Sequence, residues 1–232
     1  MKVAIMQPYF LPYIGYYQLI NSVDLFILYD NIKYTKKGWI NRNRMLQNGK
    51  DVLFSIPLKN DSDFLDIRDR KLDPGFKKDK LLNVIRSAYQ LSPYFKQAFP
   101  LIEQVIKYDD SNLFGYLHNS IIRTCEYLKI KTKIAISSVI QIDHSLKNQD
   151  KVIAFCKKVG ATVYINAIGG LELYAKEDFQ SNGVELKFIK SKPFEYKQFG
   201  NEFVPCLSIL DVIMFNPVDT VNECIVPKYE LI

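Results

Sequence analysis

The sequence predicts an α/β fold, a mainly parallel sheet with flanking helices and one helical insertion, and three observations carry that expectation. Two short apolar runs near the start, "KVAIM" and "LFILY", lack polar alternation, as strands buried on both faces do. A segment of helical apolar spacing, "IGYYQLINSV", lies between them, so the chain opens strand, loop, helix, strand. The same rhythm returns in the second half, after a long stretch that reads as helix alone.

Taken in order, Lys2 to Met6 and Leu25 to Tyr29 are the first two strands, and "DVLFSIPLK" is a third, with Val52, Phe54 and Ile56 alternating before Pro57 ends it. From Lys77 to Lys129 the pattern is helical. "KKDKLLNVIRSAY" is amphipathic, "SPYFKQAFPLIEQVIKY" offers Ser92 as N-cap with Pro93 at the first helical position, and "DSNLFGYLHNSIIRTCEYLKI" starts behind Asp110 or Ser111. The α/β rhythm resumes with "KIAISSVI", the helix "NQDKVIAFCKKVG" closed by Gly160, the strand "ATVYIN", a Gly169-Gly170 turn and the strand "VELKFI". "PCLSILDVIMF" reads as a buried helix. With no repeat, low-complexity tract or linker, residues 1–232 are expected to form a single α/β domain with a helical insert at about 77–129.

Composition narrows the class. The chain has 232 residues, 48% of them hydrophobic, enough to bury a sizeable core. No window approaches the roughly 18 uninterrupted apolar residues of a membrane helix, and the first apolar run is broken by Gln7-Pro8 before it could serve as a signal peptide, so a cytoplasmic protein without membrane insertion is expected. The four cysteines show no CxxC spacing and sit among apolar neighbours, which favours buried free thiols over zinc or disulfides. A net charge of +6 is a mild excess. Its one concentration, "KYTKKGWINRNR", suits an anionic small ligand such as a sugar nucleotide better than nucleic acid.

In an open α/β sheet, ligands bind beyond the carboxyl ends of the strands, and "QPYFLPYIGYY" follows the first strand at such a place. Pro8 and Pro12 stiffen the loop, and Gly15 admits close approach of a backbone or ligand. Tyr9, Tyr13, Tyr16 and Tyr17 offer flat faces and hydroxyls beside Gln7. After the second strand come Asp30, Tyr34, Lys36, Lys37, Trp39, Asn41, Arg42 and Asn43. Arg42 suits bidentate contact with phosphate, and Asn41 and Asn43 suit the reading of hydroxyls.

The residues "MQPYFLPYIGYYQLINSVDLFILYD" followed by "KKGWINRNRM" resemble the opening of the WbqC-like family, whose pattern runs QP-x-YLP-x-x-G, an Asp on each side of the second strand, and a Lys-containing arm ending W-x-NRN. Gln7, Pro8, Leu11, Pro12, Gly15, Asp24, Asp30, Lys36, Trp39, Asn41, Arg42 and Asn43 stand at positions of that pattern. The likeness continues through "CKKVGATVYINAIGGLELY" and "QFGNEFVPCLSILDVIMFNP", with departures at Lys33 and at Asn166-Ala167. The resemblance implies a product of a bacterial surface-polysaccharide (O-antigen) gene cluster, in which a transferase modifies a nucleotide-linked amino sugar using an acyl or aminoacyl donor. It transfers no catalytic residue.

Two readings of other classes stay open. The opening also resembles the nucleotidylyltransferase loop, with Tyr9, Tyr13 and Gly15 in register and "ISSVI" like the start of I-S-S-T-x-x-R. Tyr16, however, stands where that chemistry needs a cationic His, and Ile142 stands for its Arg. The other is a carbohydrate-binding or assembly protein without turnover. For proton transfer the candidates are Asp30, at a strand end beside the basic arm, and His144, between a strand and a helix; Cys206, at an expected helix start, is the better thiol nucleophile. Tyr174 flanks Gly169-Gly170 and is expected to complete the pocket. No metal site is evident, and the sequence leaves a homo-oligomer open.

Overall fold

Strand β1 (Lys2–Met6) lies inside a six-stranded sheet, flanked by β2 (Leu25–Leu28) and β6 (Val163–Ala167). The computed structural model describes residues 1–200 and 202–232. The sheet runs β5-β2-β1-β6-β7-β8, with β5 (Lys133–Ile136), β7 (Glu185–Ser191) and β8 (Tyr229–Leu231) as the remaining strands. All pairs are parallel except β7 with β8, so the expectation of a mainly parallel α/β sheet holds. The chain moves outward from β1 through β2 to β5, then returns to the other side of β1 with β6. That reversal opens a crevice between β1 and β6 at their carboxyl ends, where ligands bind in such sheets.

Helices cover both faces, which is why β1 and β2 are apolar at successive positions. On one face Ala4, Phe26, Leu28 and Ile165 share a core with α1 (Ile14–Asn21), α7 (Ile209–Phe215) and the three helices α2 (Lys78–Tyr89), α3 (Phe95–Lys107) and α4 (Leu113–Tyr127). On the other, Val3, Ile5, Leu25 and Ile27 pack with α5 (Asn148–Val159) and with Phe179 of α6 (Lys176–Ser181). All seven residues of α7 are buried, as its composition predicts.

Four local expectations change. The third strand, β4 (Lys50–Ser55), does not join the sheet; it pairs antiparallel with β3 (Arg42–Gln47), so the basic arm is half of a separate hairpin. Asn48 and Gly49 both take positive φ, 52° and 74°, as the mirror-image two-residue turn of a twisted hairpin requires. Helix α3 begins at Phe95 rather than at Pro93: Tyr94 is its N-cap, with φ −110° and ψ 17° outside the helical range, and its N–H donates to the Met214 carbonyl (3.1 Å). Helix α4 is capped by Asn112, whose Oδ1 accepts from the Gly115 N–H (3.0 Å), one or two residues beyond the expected cap. Two of the thiols, Cys206 and Cys224, are exposed; both sit in irregular or π-turn backbone next to α7 and the C-terminal strand rather than on a core face.

Candidate functional site

The loop from β1 to α1 is held in an unusual path by polar groups behind it. Leu11 has φ of 41°, in the left-handed region that costs a branched residue about 1 kcal/mol or more. Its carbonyl accepts from Asn43 Nδ2 (2.9 Å) and from Ser208 Oγ (2.6 Å), and the Phe10 carbonyl accepts from the same Asn43 amide (3.2 Å). The Phe10 N–H donates to Ile40 and the Ile209 N–H to Pro12. The loop is thus clamped between the hairpin and the start of α7, and its aromatic side chains are presented on a fixed frame.

Those side chains wall a cavity of about 340 Å³ at the carboxyl ends of β1, β6 and β7. Met6, Tyr9, Pro12, Tyr13, Gly15, Tyr16 and Leu19 come from the first strand, loop and helix; Trp39, Asn43 and Arg44 come from the hairpin and its approach; Ala167, Ile168, Ile189, Ser191 and Cys206 close the far side. Tyr9 and Tyr16 tilt against each other with ring centres 5.6 Å apart, and the Tyr16 hydroxyl donates to the Gln7 carbonyl (2.9 Å). Burial pushes the phenols of Tyr9, Tyr13 and Tyr16 up, Tyr16 furthest, so they act as neutral hydrogen-bonding groups. A β-carbon on Gly15 would stand 3.0 Å from both the Ser191 Oγ and the Tyr13 ring, so glycine here leaves room for that wall.

Trp39 keeps 42% of its surface exposed. Two guanidiniums lie over its ring, Arg42 at 5.9 Å and Arg44 at 5.6 Å from the centre. They differ in what else they hold. Arg42 donates from Nε to the Gly38 carbonyl (2.9 Å) and from its terminal nitrogen to the Lys37 carbonyl, closing the turn that carries Trp39. Arg44 faces the cavity, pairs with Asp51 at 3.0 Å and reaches the Cys206 carbonyl at 3.4 Å.

The structure brings together Tyr9, Tyr13, Gly15, Tyr16, Trp39 and Asn43 of the residues singled out in the sequence; the rest lie elsewhere. The Gln7 carbonyl, not a lining atom of its side chain, anchors Tyr16. Tyr34 and Asn41 form a layer behind the hairpin: the Tyr34 hydroxyl donates to Asn41 Oδ1 (2.8 Å), Asn41 Nδ2 donates to the Ile56 carbonyl (2.8 Å), and the Arg70 guanidinium stacks on the Tyr34 ring. Lys36 is exposed and paired with Asp63. Asp30 is buried at the end of β2, where Ser137 Oγ (2.7 Å), Ser138 N–H (2.9 Å) and Ser138 Oγ (2.6 Å) all donate to its carboxylate. The Ser137-Ser138 pair therefore faces Asp30 beside the edge strand β5 and not the cavity. His144 is exposed on that side, its Nδ1 against Asn31 Nδ2 (2.9 Å). Tyr174 packs edge-on against Tyr164 and Phe179 under α6. Gly170 is fixed by packing, since a β-carbon there would collide with the Asn166 amide.

Sequence reasoning missed Arg44, Ser191 and Cys206 as cavity residues. Arg44 was legible: Asn48-Gly49 marks a hairpin, and strand alternation then sets Arg42 and Arg44 on one face with Asn43 on the other. Ser191 and Cys206 carry no local signal, because the parallel sheet brings β7 to the loop and the long-range bonds of Ser208 and Ile209 bring the segment before α7. Among the described residues no group of three or more His, Cys, Asp or Glu side chains is arranged to hold a metal ion, and no helix is long and apolar enough to cross a membrane.

An uncharacterized protein of Mycobacterium tuberculosis, Rv1507c, is 26% identical to this chain over 220 residues, an alignment covering 93% of each. No solved structure matches the chain. The sequence profile of the WbqC-like protein family matches residues 7–223, a span that includes the loop, the hairpin, both later cavity walls and α7. The chain belongs to the WbqC-like protein family.

Proposed function

We propose that the protein is a cytoplasmic transferase that modifies a nucleotide-linked amino sugar, by acyl or aminoacyl transfer, for bacterial surface polysaccharide, with the aromatic cavity as the sugar-nucleotide site. The observation that carries the reading is the combination at the cavity mouth: a half-exposed indole under two guanidiniums, opening onto three tyrosines at the sheet's reversal point. An indole face and phenol rings suit a base or sugar ring, and an arginine suits a diphosphate. Arg44 takes the diphosphate role first expected of Arg42, and Asn43 supports the loop that Tyr9 and Tyr13 need. Calorimetric titration with a panel of nucleoside diphosphate sugars tests this. Saturable binding that Arg44→Ala weakens about tenfold or more supports it, and equal affinity for neutral sugars and their nucleotide derivatives overturns it.

One feature favours a second reading, a binding protein of the polysaccharide machinery without turnover. No carboxylate or imidazole lies among the described residues of the cavity lining. Sugar-nucleotide binding with no consumption of acyl or aminoacyl donors in the presence of the acceptor would select it.

A further inference from the structure

Tyr13 walls two hollows. Beyond the main cavity lies a second, of about 320 Å³, and the two share Tyr13, Ser191 and Cys206 as a common partition. The partition is built, not incidental. Ser191 Oγ donates to Gln18 Oε1 (2.5 Å), and Gln18 is fully buried with its Nε2 donating to the Ile225 (2.9 Å) and Lys228 (3.1 Å) carbonyls. Cys206 is exposed beside them, in the left-handed region at φ 57°.

The second hollow has its own chemistry. Tyr196 stacks with Phe194 at 6.1 Å and meets Phe203 edge-on at 5.1 Å, giving an aromatic corner. Lys192 and Glu195 line the same hollow, and neither joins a salt bridge among the described residues. A free carboxylate beside phenol and phenyl rings suits an ammonium, and a free lysine within the same hollow suits a carboxylate or phosphate. One ligand class carries both charges within a hollow of this size: an α-amino acid, free or activated through its carboxyl group.

We propose that the second hollow binds the aminoacyl donor, with its ammonium on Glu195 and the aromatic corner, its acidic end towards Lys192, and its carbonyl carbon at the Tyr13–Ser191–Cys206 partition, facing the sugar nucleotide in the first cavity. The assignment rests on the sugar-nucleotide reading of that first cavity and selects aminoacyl over simple acyl transfer. In the transfer, the sugar's amine nitrogen bonds to the carbonyl carbon of an aminoacyl ester or mixed phosphoric anhydride. The bond from that carbon to the leaving oxygen breaks with its electron pair, and the proton of the new ammonium passes to water.

Cys206 reports on both hollows. In a Cys224→Ser background, iodoacetamide labelling of Cys206 is followed by intact mass, alone, with UDP-N-acetylglucosamine, with an aminoacyl sulfamoyl adenosine, and with the N-acetylated form of that probe. Slower labelling with the aminoacyl probe, lost on N-acetylation and in Glu195→Gln, is the expected result, with about tenfold weaker binding of the probe to Glu195→Gln by calorimetry. Glu195 is exposed, so the substitution does not endanger folding. Equal protection by the N-acetylated probe, or none from either, overturns the assignment. Protection by the sugar nucleotide alone leaves the first cavity's reading standing and removes the second; protection by the aminoacyl probe alone, with no sugar-nucleotide binding by calorimetry, keeps an amino-acid site in the second hollow and overturns the transfer between the two.

Discussion

Two polar groups sit at the carboxyl end of one sheet, one beyond β1 and the other beyond its neighbour β2, and they differ in what their polar atoms face. Beyond β2, Asp30 is buried and both carboxylate oxygens accept from Ser137 and Ser138, while Asn31 Oδ1 is an alternative acceptor for the one Ser137 hydroxyl proton and Asn31 Nδ2 meets the His144 ring. Beyond β1, rings, hydroxyls and a guanidinium surround about 340 Å³ of open volume. By residue type the first group looks the more catalytic. A carboxylate whose lone pairs are occupied by its own fold is a structural tie, whereas an arginine or phenol edging a cavity has room for a partner, and that difference outweighs residue type.

The comparison breaks most sharply at Asp30. Asp30→Ala strands the Ser138 N–H and hydroxyl, while the Ser137 hydroxyl can turn to Asn31 Oδ1, so we expect a loss of stability of about 2 kcal/mol or more in urea unfolding, with sugar-nucleotide affinity of the folded protein unchanged. Asp30→Asn keeps an acceptor and should lose less. Normal stability with lost turnover in Asp30→Asn would make Asp30 a reacting group and reverse the ranking of the two sites.

The cavity side should respond in the opposite way. Trp39→Ala removes a half-exposed ring, so unfolding should shift by less than about 0.5 kcal/mol while the affinity for a nucleoside diphosphate sugar falls about tenfold. Arg42→Ala should lower affinity less than Arg44→Ala, because Arg42 acts through the turn it closes. Equal losses would mean that both arginines touch the ligand.

Part of this contrast was legible in the sequence. The uninterrupted apolar runs of β1 and β2 announced the parallel sheet, and a parallel α/β unit sends the aromatic loop after β1 to the carboxyl edge, where that loop walls a cavity. The hairpin was hidden because its strand β3 opens with three polar residues, Arg42, Asn43 and Arg44, whose charges read as an arm, although Asn48-Gly49 marked the turn. The partners of Asp30 could not be read at all. They lie 107 and 108 residues away, in the short turn just past β5, a strand that reaches β2 only after three helices.

A second carboxylate lies between the two extremes. Asp211 is fully buried in α7 and accepts from Tyr89 (3.0 Å), Tyr196 (2.6 Å) and Gln198 (2.7 Å), so like Asp30 it is occupied by the fold, yet Tyr196 is also a wall of the second hollow. Burial raises its pKa above the ordinary 3.8, against the three hydrogen bonds that lower it. A carboxyl raised in the folded state binds more protons there than in the unfolded chain. Its contribution to stability is therefore full below pH 3.8 and declines as pH rises through the folded pKa. Asp211→Asn should flatten that decline in melting temperature against pH, relative to the parent protein, and should alter aminoacyl-probe binding more than sugar-nucleotide binding. An unchanged slope would mean the carboxyl titrates alike folded and unfolded.

The smallest effect expected is at His144, and it tests the comparison most directly. His144 is exposed, touches Asn31 through one ring nitrogen and lies 6.0 Å from the Phe155 ring, so His144→Ala should change stability by less than about 0.5 kcal/mol. If open volume rather than residue type marks the reacting place, turnover should stay within about twofold of the parent, since the imidazole is on the Asp30 side and does not line the cavity. A loss of turnover of about a hundredfold at unchanged stability would be the size expected of a general acid or base. It would place the proton transfer beyond β2, with the cavity beyond β1 holding only the part of the substrate that does not react.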